Sequence, residues 1–291
     1  MNDIEERYRL QANSEKDAGL PSRYTSPNSV DNWRHTRMLD ATVPLTRTYP
    51  DATWITVGDG RYGSDAAYLH AHGAAVTATS LTDELLQVAV ARGFIPSCRA
   101  ENAERMSFAQ DSFDFVLCKE AYHHFPRPPV ALFEMLRVAR KAVVLIEPLD
   151  NPRILDGVKR IFKRVFRGDR EMEFEPSGNY LYRVSIRELA KLWTAAGGLC
   201  LAFRGMNDFY HPRFSASNHT NVNLGGLVTR LGIAVQDLLC RFRLLGYGIG
   251  CIVVFRAVPD GDCASALRAA GFKLIELPRN PYIGTTAGVL E

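Results

Sequence analysis

From Ala52 onward, short β-branched apolar runs alternate with stretches of helical spacing, and this alternation constrains the fold more than any other feature. TWITVG (53–58) reads as a strand buried on both faces, as parallel strands are. DAAYLHAHG (65–73) reads as a helix that stops at a glycine. AAVTATS (74–80) is a second strand, DELLQVAVARG (83–93) a second glycine-closed helix, and SFDFVLCKE (112–120) a strand after a turn-rich stretch. PVALFEMLRVAR (129–140) and KAVVLIEPLD (141–150) continue the rhythm. After an interruption, SIRELAKLWTAAGG (185–198) restores it as a helix and LCLAFRG (199–205) as a strand. A helix at 224–245 and the strand GIGCIVVFRAV (248–258) follow. Such alternation requires right-handed crossovers and predicts a doubly wound α/β fold around a mostly parallel sheet. Residues 28–46 read as one helix capped by Asn28 or Ser29, and 1–26 as a loose polar arm that orders on a ligand. The tail adds a short helix (263–270) and the strand FKLIEL (272–277).

A formal net charge of +3 is too small to argue for a nucleic-acid partner. No apolar run approaches the roughly 20 residues that span a bilayer. The opening MNDIEERYRL does not read as a secretion leader. The expectation is a soluble, cytoplasmic protein without stable membrane insertion, its oligomeric state open. Cys98, Cys118, Cys200, Cys240, Cys251 and Cys263 never pair at CxxC spacing, so no metal site or redox pair is expected. They read as small buried apolar residues.

The strongest chemical signal is VGDGRYGSDAAYLH, where Gly58, Gly60 and Gly63 fit G-x-G-x-x-G between a strand and a helix. Glycine turns tightly and lets a ligand approach the backbone, and the amides at the helix start favour a polar or anionic group. A nucleotide-dependent dehydrogenase uses the same device, and a ligand-free turn satisfies the same pattern.

The order of the whole segment separates these readings. WITVGDGRYGSDAAYL, VTATSLTDELL, AENAERMSFAQDSFDFVLCKEAYHHF and ALFEMLRVARKAVVLIEP follow one another over residues 53–148. In that order they resemble the class I S-adenosylmethionine-dependent methyltransferases, most closely the small-molecule branch with the ubiquinone and menaquinone biosynthesis enzymes. The resemblance implies a Rossmann-like seven-stranded sheet with a helical insertion and a C-terminal extension. It implies S-adenosyl-L-methionine as cofactor and S-adenosyl-L-homocysteine as product. Asp59 and the backbone of Gly58 and Gly60 would face the amino-acid end of the cofactor, with Gly63 opening the helix. Ser80 stands where the family carries an acid for the ribose hydroxyls. A serine makes no charged bidentate bond there, so Thr79 or Asp83 would have to compensate. Leu81 would pack on adenine, Asn102 and Ala103 would meet its edge, and Cys118 and Lys119 would lie beside the sulfur. For Asn102, a turn residue capping its own backbone is the competing reading.

Methyl transfer to a hydroxyl also requires removal of a proton, a task suited to histidine near neutral pH. His123 and His124, in KEAYHHFPRP, are the candidate bases, and packing against the next helix explains them equally well. Glu147 ends its strand either as an acceptor-orienting or cation-binding group or as an exposed charge. Residues 154–167 form a basic amphipathic stretch, either a solvated helix or a lid or interfacial anchor. Tyr180, Tyr182 and Arg183 are candidates to line an acceptor pocket; equally, Tyr180 and Tyr182 read as alternate residues of a hairpin that face the core on one side. Tyr24, Trp33, Arg34 and Arg37 are candidates to close over the cofactor, with core packing the alternative for Trp33 and solvent exposure for the arginines.

The chain thus divides into a covering arm and helix (1–50), a cofactor-binding core (51–150), an acceptor-side insertion (151–184), the rest of the sheet (185–258) and an extension (259–291). The expected reaction moves a methyl group to a hydroxyl or amine of a small-molecule acceptor, such as a sugar or secondary metabolite. Against nucleic-acid methylation, CKEA stands where an NPPY-like loop belongs and RNPY (279–282) lies in the tail. A non-catalytic binding or scaffold protein draws support from Ser80, whereas a dinucleotide oxidoreductase lacks the same acid. Gly60→Arg is expected to abolish S-adenosylmethionine binding, measured by calorimetry, while circular dichroism shows the protein still folded. Retained binding would refute the loop assignment.

Overall fold

The computed structural model describes residues 4–17, 26–60, 62–150, 155, 174, 179–219 and 223–282. Eight strands form one sheet: β1 (Thr53–Val57), β2 (Ala75–Ser80), β3 (Cys98–Ala100), β4 (Phe113–Lys119), β5 (Ala139–Pro148), β6 (Cys200–Met206), β7 (Ile249–Phe255) and β8 (Lys273–Glu276). Their order is β3-β2-β1-β4-β5-β7-β6-β8. The first five run parallel. β7 enters antiparallel between β5 and β6, and β8 joins the edge of β6 antiparallel. The seven strands read from the sequence, the tail strand among them, are all present, and β3 makes the eighth.

Period-two alternation sends neighbouring side chains into two cores. Trp54, Phe115, Leu117, Val144 and Val253 meet one layer of helices; Ile55, Val116, Val143, Leu145, Ile252 and Val254 meet the other. The first layer comprises α2 (Val30–Leu39), α3 (Val43–Thr48), α4 (Ser64–Ala71), α5 (Glu84–Ala91) and α9 (Gly261–Ala269), which contribute Met38, Leu45, Leu69, Leu86 and Leu267. The second comprises α6 (Pro128–Val138) and α7 (Ile186–Ala195), which contribute Leu132, Met135, Leu189 and Trp193. Burial of each such aliphatic side chain contributes about 1.5–3 kcal/mol.

Three local expectations change. Residues 28–46 are two helices, with a 3₁₀ turn at Asp40–Thr42 and Pro44 in the first turn of α3. Proline lacks an N–H and clashes with the preceding turn, so α2 cannot continue through it. The arm expected to be loose contains helix α1 (Ile4–Asp17), which docks through Tyr8 rather than through an apolar stripe. β3 lies inside the stretch read as turns. Its three residues are too few for a periodic signal.

The strand order reverses between β1 and β4. β2 and β3 lie to one side and β5 to the other, so the connecting loops part there and leave a crevice at the C-terminal strand ends. Leu145→Ala, at a fully buried position on the central strand β5, is expected to lower stability by about 2–5 kcal/mol, read from urea unfolding.

Candidate active site

Four loops meet at the crevice. The first, after β1, takes left-handed backbone angles at Gly58 (φ +78°), Tyr62 (φ +71°) and Gly63 (φ +69°). A Cβ on Gly58 would stand 2.4 Å from the Cβ of Ala121, and one on Gly63 would stand 2.7 Å from Cδ1 of Ile95. Glycine at 58 therefore lets the β1 and β4 loops touch. Tyr62 sustains its unusual angle while buried, with its ring 5.2 Å from that of Phe94. Gly60 is half-buried at the middle of the bend.

Asp59 does not present its carboxylate to the crevice as a free group. It accepts from the amides of Asp65 (3.2 Å) and Ala66 (2.8 Å) in the first turn of α4 and from the Thr56 hydroxyl (2.9 Å). Burial, and then the charge of Asp65, push its carboxyl up to about 8. Its own amide donates to Thr79 O at 2.9 Å and ties the β1 loop to β2.

Ser80 ends β2 as a buried residue, and its carbonyl accepts from Glu101 N at 2.7 Å. The Thr79 hydroxyl donates to Thr56 O at 2.7 Å and is committed to the sheet. Asp83 accepts from Gln87 in α5 at 3.1 Å, and Leu81 is half-buried.

The third loop is held by two carboxylates. Glu101 accepts from Ser107 N at 2.8 Å and from the Ser107 hydroxyl. Glu104, almost fully buried, accepts from Arg127 N (2.7 Å), the Tyr8 hydroxyl (2.7 Å) and the Arg127 guanidinium. Between them Asn102 accepts from Glu104 N at 2.9 Å, the backbone-capping turn, and Ala103 is buried. Glu104, Tyr8 and Arg127 were not singled out in the sequence, because no pattern links positions so far apart.

The fourth loop follows β4. Lys119 is buried against Asp65 (3.3 Å) and Glu120 (3.5 Å). Burial opposes its charge, but the carboxylates prevail and raise its pKa. Glu120 sits at φ +48°, strained for a residue with a side chain. Burial works against its charge too, yet Lys119, then His35 at 3.2 Å and Arg34 hold its carboxyl well below the usual range.

Glu147, expected at the strand end as a candidate or an exposed charge, has no exposed surface. Its Oε1 accepts from Ala121 N (3.0 Å), Tyr122 N (2.9 Å) and, weakly, Cys118 Sγ (3.9 Å). Its Oε2 lies 2.6 Å from His123 Nδ1. The structure thus brings His123 and Glu147 together. Both histidines are half-buried, and the His124 ring is 3.8 Å from that of His123. Burial, followed by the charge of Glu147, pushes the Cys118 thiol up.

The loop also carries the start of the next segment. Tyr182 N donates to His123 O at 3.1 Å, and the Tyr122 and Tyr182 rings meet at 6.1 Å. Tyr180 bridges to Phe174 and is exposed, whereas Tyr182 is half-buried, so the two tyrosines do not share one core-facing side. Most of the basic stretch 154–167, and Tyr24, lie outside the described residues. Arg34 departs from both readings of it. It is buried and bonds Asp31 (2.8 Å) and Asp208 (Nε–Oδ1 2.7 Å), pinning α2 to the loop after β6. Trp33 is half-buried, with Arg37 and Arg230 at 5.3 and 5.4 Å from its ring. Arg37 donates to Asn207 O at 3.5 Å.

A left-handed glycine bend, a helix N-terminus, a buried serine at the β2 end and a turn-closed loop meet at the crevice. Residues 55–146 match a family model described as a methyltransferase domain. Among solved structures, the chain is similar to the YcgJ protein of Bacillus subtilis (17% identity, 77% of this chain and 100% of that one, TM-score 0.49). It is similar to a magnesium protoporphyrin IX methyltransferase from Synechocystis with bound S-adenosylhomocysteine (15%, 78% and 85%, TM-score 0.47). A third is a 1,6-didemethyltoxoflavin-N1-methyltransferase from Burkholderia thailandensis (16%, 76% and 78%, TM-score 0.45). No curated protein matches the sequence. The fold is that of the Rossmann-like α/β methyltransferases, as the strand order with its antiparallel β7 requires. Residues 55–146 of the chain form a methyltransferase domain. Among the described residues no group of carboxylates, histidines and cysteines is arranged to hold a metal ion.

The raised Asp59 carboxyl sets a pH dependence. Its contribution to stability is complete below the ordinary value of 3.8 and is lost as pH rises through about 8. Glu120, shifted down, stays charged above about pH 5 and does not mask the trend. The urea midpoint is expected to fall between about pH 5 and 8. Asp59→Asn, which keeps an acceptor oxygen, should flatten that slope; an unchanged slope would assign it to another group.

Proposed function

We propose that this enzyme methylates a hydroxyl or amine of a small molecule, a sugar or other secondary metabolite being the leading class, with His123 as the base and Glu147 as its positioning residue. The observation that carries this reading is the 2.6 Å contact between His123 Nδ1 and a fully buried carboxylate at the rim of the crevice. A neutral imidazole that donates Nδ1–H to Glu147 has its lone pair on Nε2, and the carboxylate steadies the imidazolium formed when the acceptor's proton arrives. The amides of Ala121 and Tyr122 fix the same carboxylate, so the base is held by backbone rather than by a mobile side chain.

The bound cofactor supplies an electrophilic sulfonium methyl. Gly58, Gly60 and Gly63 shape its bend, and Asp59 contributes by organising α4. Ser80 and Leu81 lie at the ribose and adenine side, Asn102 and Ala103 at the base edge, and Cys118 and Lys119 under the sulfur. The segment 1–50 covers the cofactor, with α1 clasped to the Asn102 loop through Tyr8 and Glu104. Residues 151–184 form the acceptor side, and the bond from Tyr182 N to His123 O supports this placement.

A cofactor-binding protein without turnover is the second reading, favoured by Ser80 in place of an acid and by the engagement of Asn102 Oδ1 with Glu104 N. Calorimetry with S-adenosylmethionine and an acceptor screen with labelled methyl donor separate the two. His123→Asn is expected to lower kcat by about 10²–10⁴ with cofactor affinity retained, and His124→Asn to have a small effect. Glu147→Gln keeps the two amide contacts through its oxygen but turns an N–H toward His123 Nδ1, which forces the tautomer protonated at Nε2, so kcat should fall with cofactor affinity retained. Full activity in His123→Asn would remove it as the base.

A further inference from the structure

Helix α8 (Leu224–Arg241) is packed inside out. Its inner face is mostly small: Gly225, Gly226 and Thr229 are buried, with Ile233 and Cys240 the larger exceptions. A Cβ on Gly232 would stand 2.7 Å from the Phe209 ring, and one on Gly225 3.0 Å from the Ser217 hydroxyl. The 207–219 loop therefore lies directly on the helix backbone. The large apolar residues point outward: Leu224 (70% exposed), Leu227, Leu231 (55%), Val235, Leu238 (54%) and Phe242 (67%). Intervals of three and four residues align them on one stripe, about 27 Å long for eighteen residues. A contiguous exposed stripe of this kind marks an interaction surface.

Its charges identify the occupant. Phe242 stands between exposed Arg241 and Arg243 at the C-terminal end. The carboxylate on the helix, Asp237, accepts from Asn207 Nδ2 at 2.8 Å. A second copy packed antiparallel would bring Arg241 and Arg243 against the Leu224 end of its partner, where residues 218–230 include no Asp or Glu in the sequence. An apolar stripe with cations at its border instead matches helices that lie in the plane of an anionic lipid surface. No described helix is long and apolar enough to cross a membrane.

We infer that α8 docks this enzyme on anionic lipid bilayers, with Leu224, Leu231, Leu238 and Phe242 in the acyl boundary and Arg241 and Arg243 at the headgroups. The inference does not depend on which acceptor is methylated.

Co-sedimentation of the full chain with vesicles tests it. Binding is expected with phosphatidylcholine doped with phosphatidylglycerol, weakening as salt rises, and at least about tenfold less with phosphatidylcholine alone. Leu231→Gln with Leu238→Gln should abolish it, with circular dichroism and S-adenosylmethionine affinity unchanged. Arg241→Gln with Arg243→Gln, which leaves the stripe intact and carries no folding risk from packed positions, should remove the preference for anionic vesicles. Wild-type protein that stays in the supernatant with every vesicle overturns the inference. So does sedimentation-velocity detection of a dimer that the leucine substitutions dissociate and that does not bind vesicles.

Discussion

A carboxylate with no exposed surface must have its oxygens filled, because an unpaired buried charge costs several kcal/mol, and Glu147 is that group. Its partners are supplied by the loop after β4: two consecutive amides, a thiol and a histidine ring. Satisfying one side chain on β5 therefore dictates the course of residues 118–123, and that course places Ala121 against Gly58. The glycine bend, the histidine pair and the end of β5 form one object whose parts cannot move independently.

Around this object the polar contacts form two clasps. On one side Lys119, Glu120 and His35 link the β4 loop to α2, and Arg34 carries α2 on to Asp208. On the other, Glu104 gathers Tyr8 of α1 and Arg127 before α6. Each clasp joins a helix of the first fifty residues to the crevice through charge-assisted hydrogen bonds, which give direction as well as attraction. Helix α1, held by polar bonds of this kind, can open at lower cost than the apolar layers.

The core was legible because each strand and helix leaves a local periodic trace. TWITVG, AAVTATS and KAVVLIEPLD each stand within two residues of the observed β1, β2 and β5. Elements whose stability comes from distant partners left no such trace. α1 is polar and is docked by Tyr8, β3 is three residues long, and Arg34 acquires its meaning from Asp208, 174 positions away. The site shows the same division. Gly58 and Gly63 were readable because a left-handed bend requires glycine locally. The partners of Asp59, Asn102 and Glu147 were not, since a carboxylate or amide in a sequence does not show which donors will reach it.

The sequence by itself determined the succession of strands and helices, the bend at residues 58–63 and the presence of histidines after β4, all of which follow from short-range sterics and side-chain period. Only the tertiary structure decided that His123 faces a buried acid, that Asp59 serves a helix start, and that α8 turns its leucines outward. Those outcomes depend on which groups meet across the chain, and side-chain charge and hydrogen-bonding capacity are distributed among competitors only once the backbone has brought them within reach.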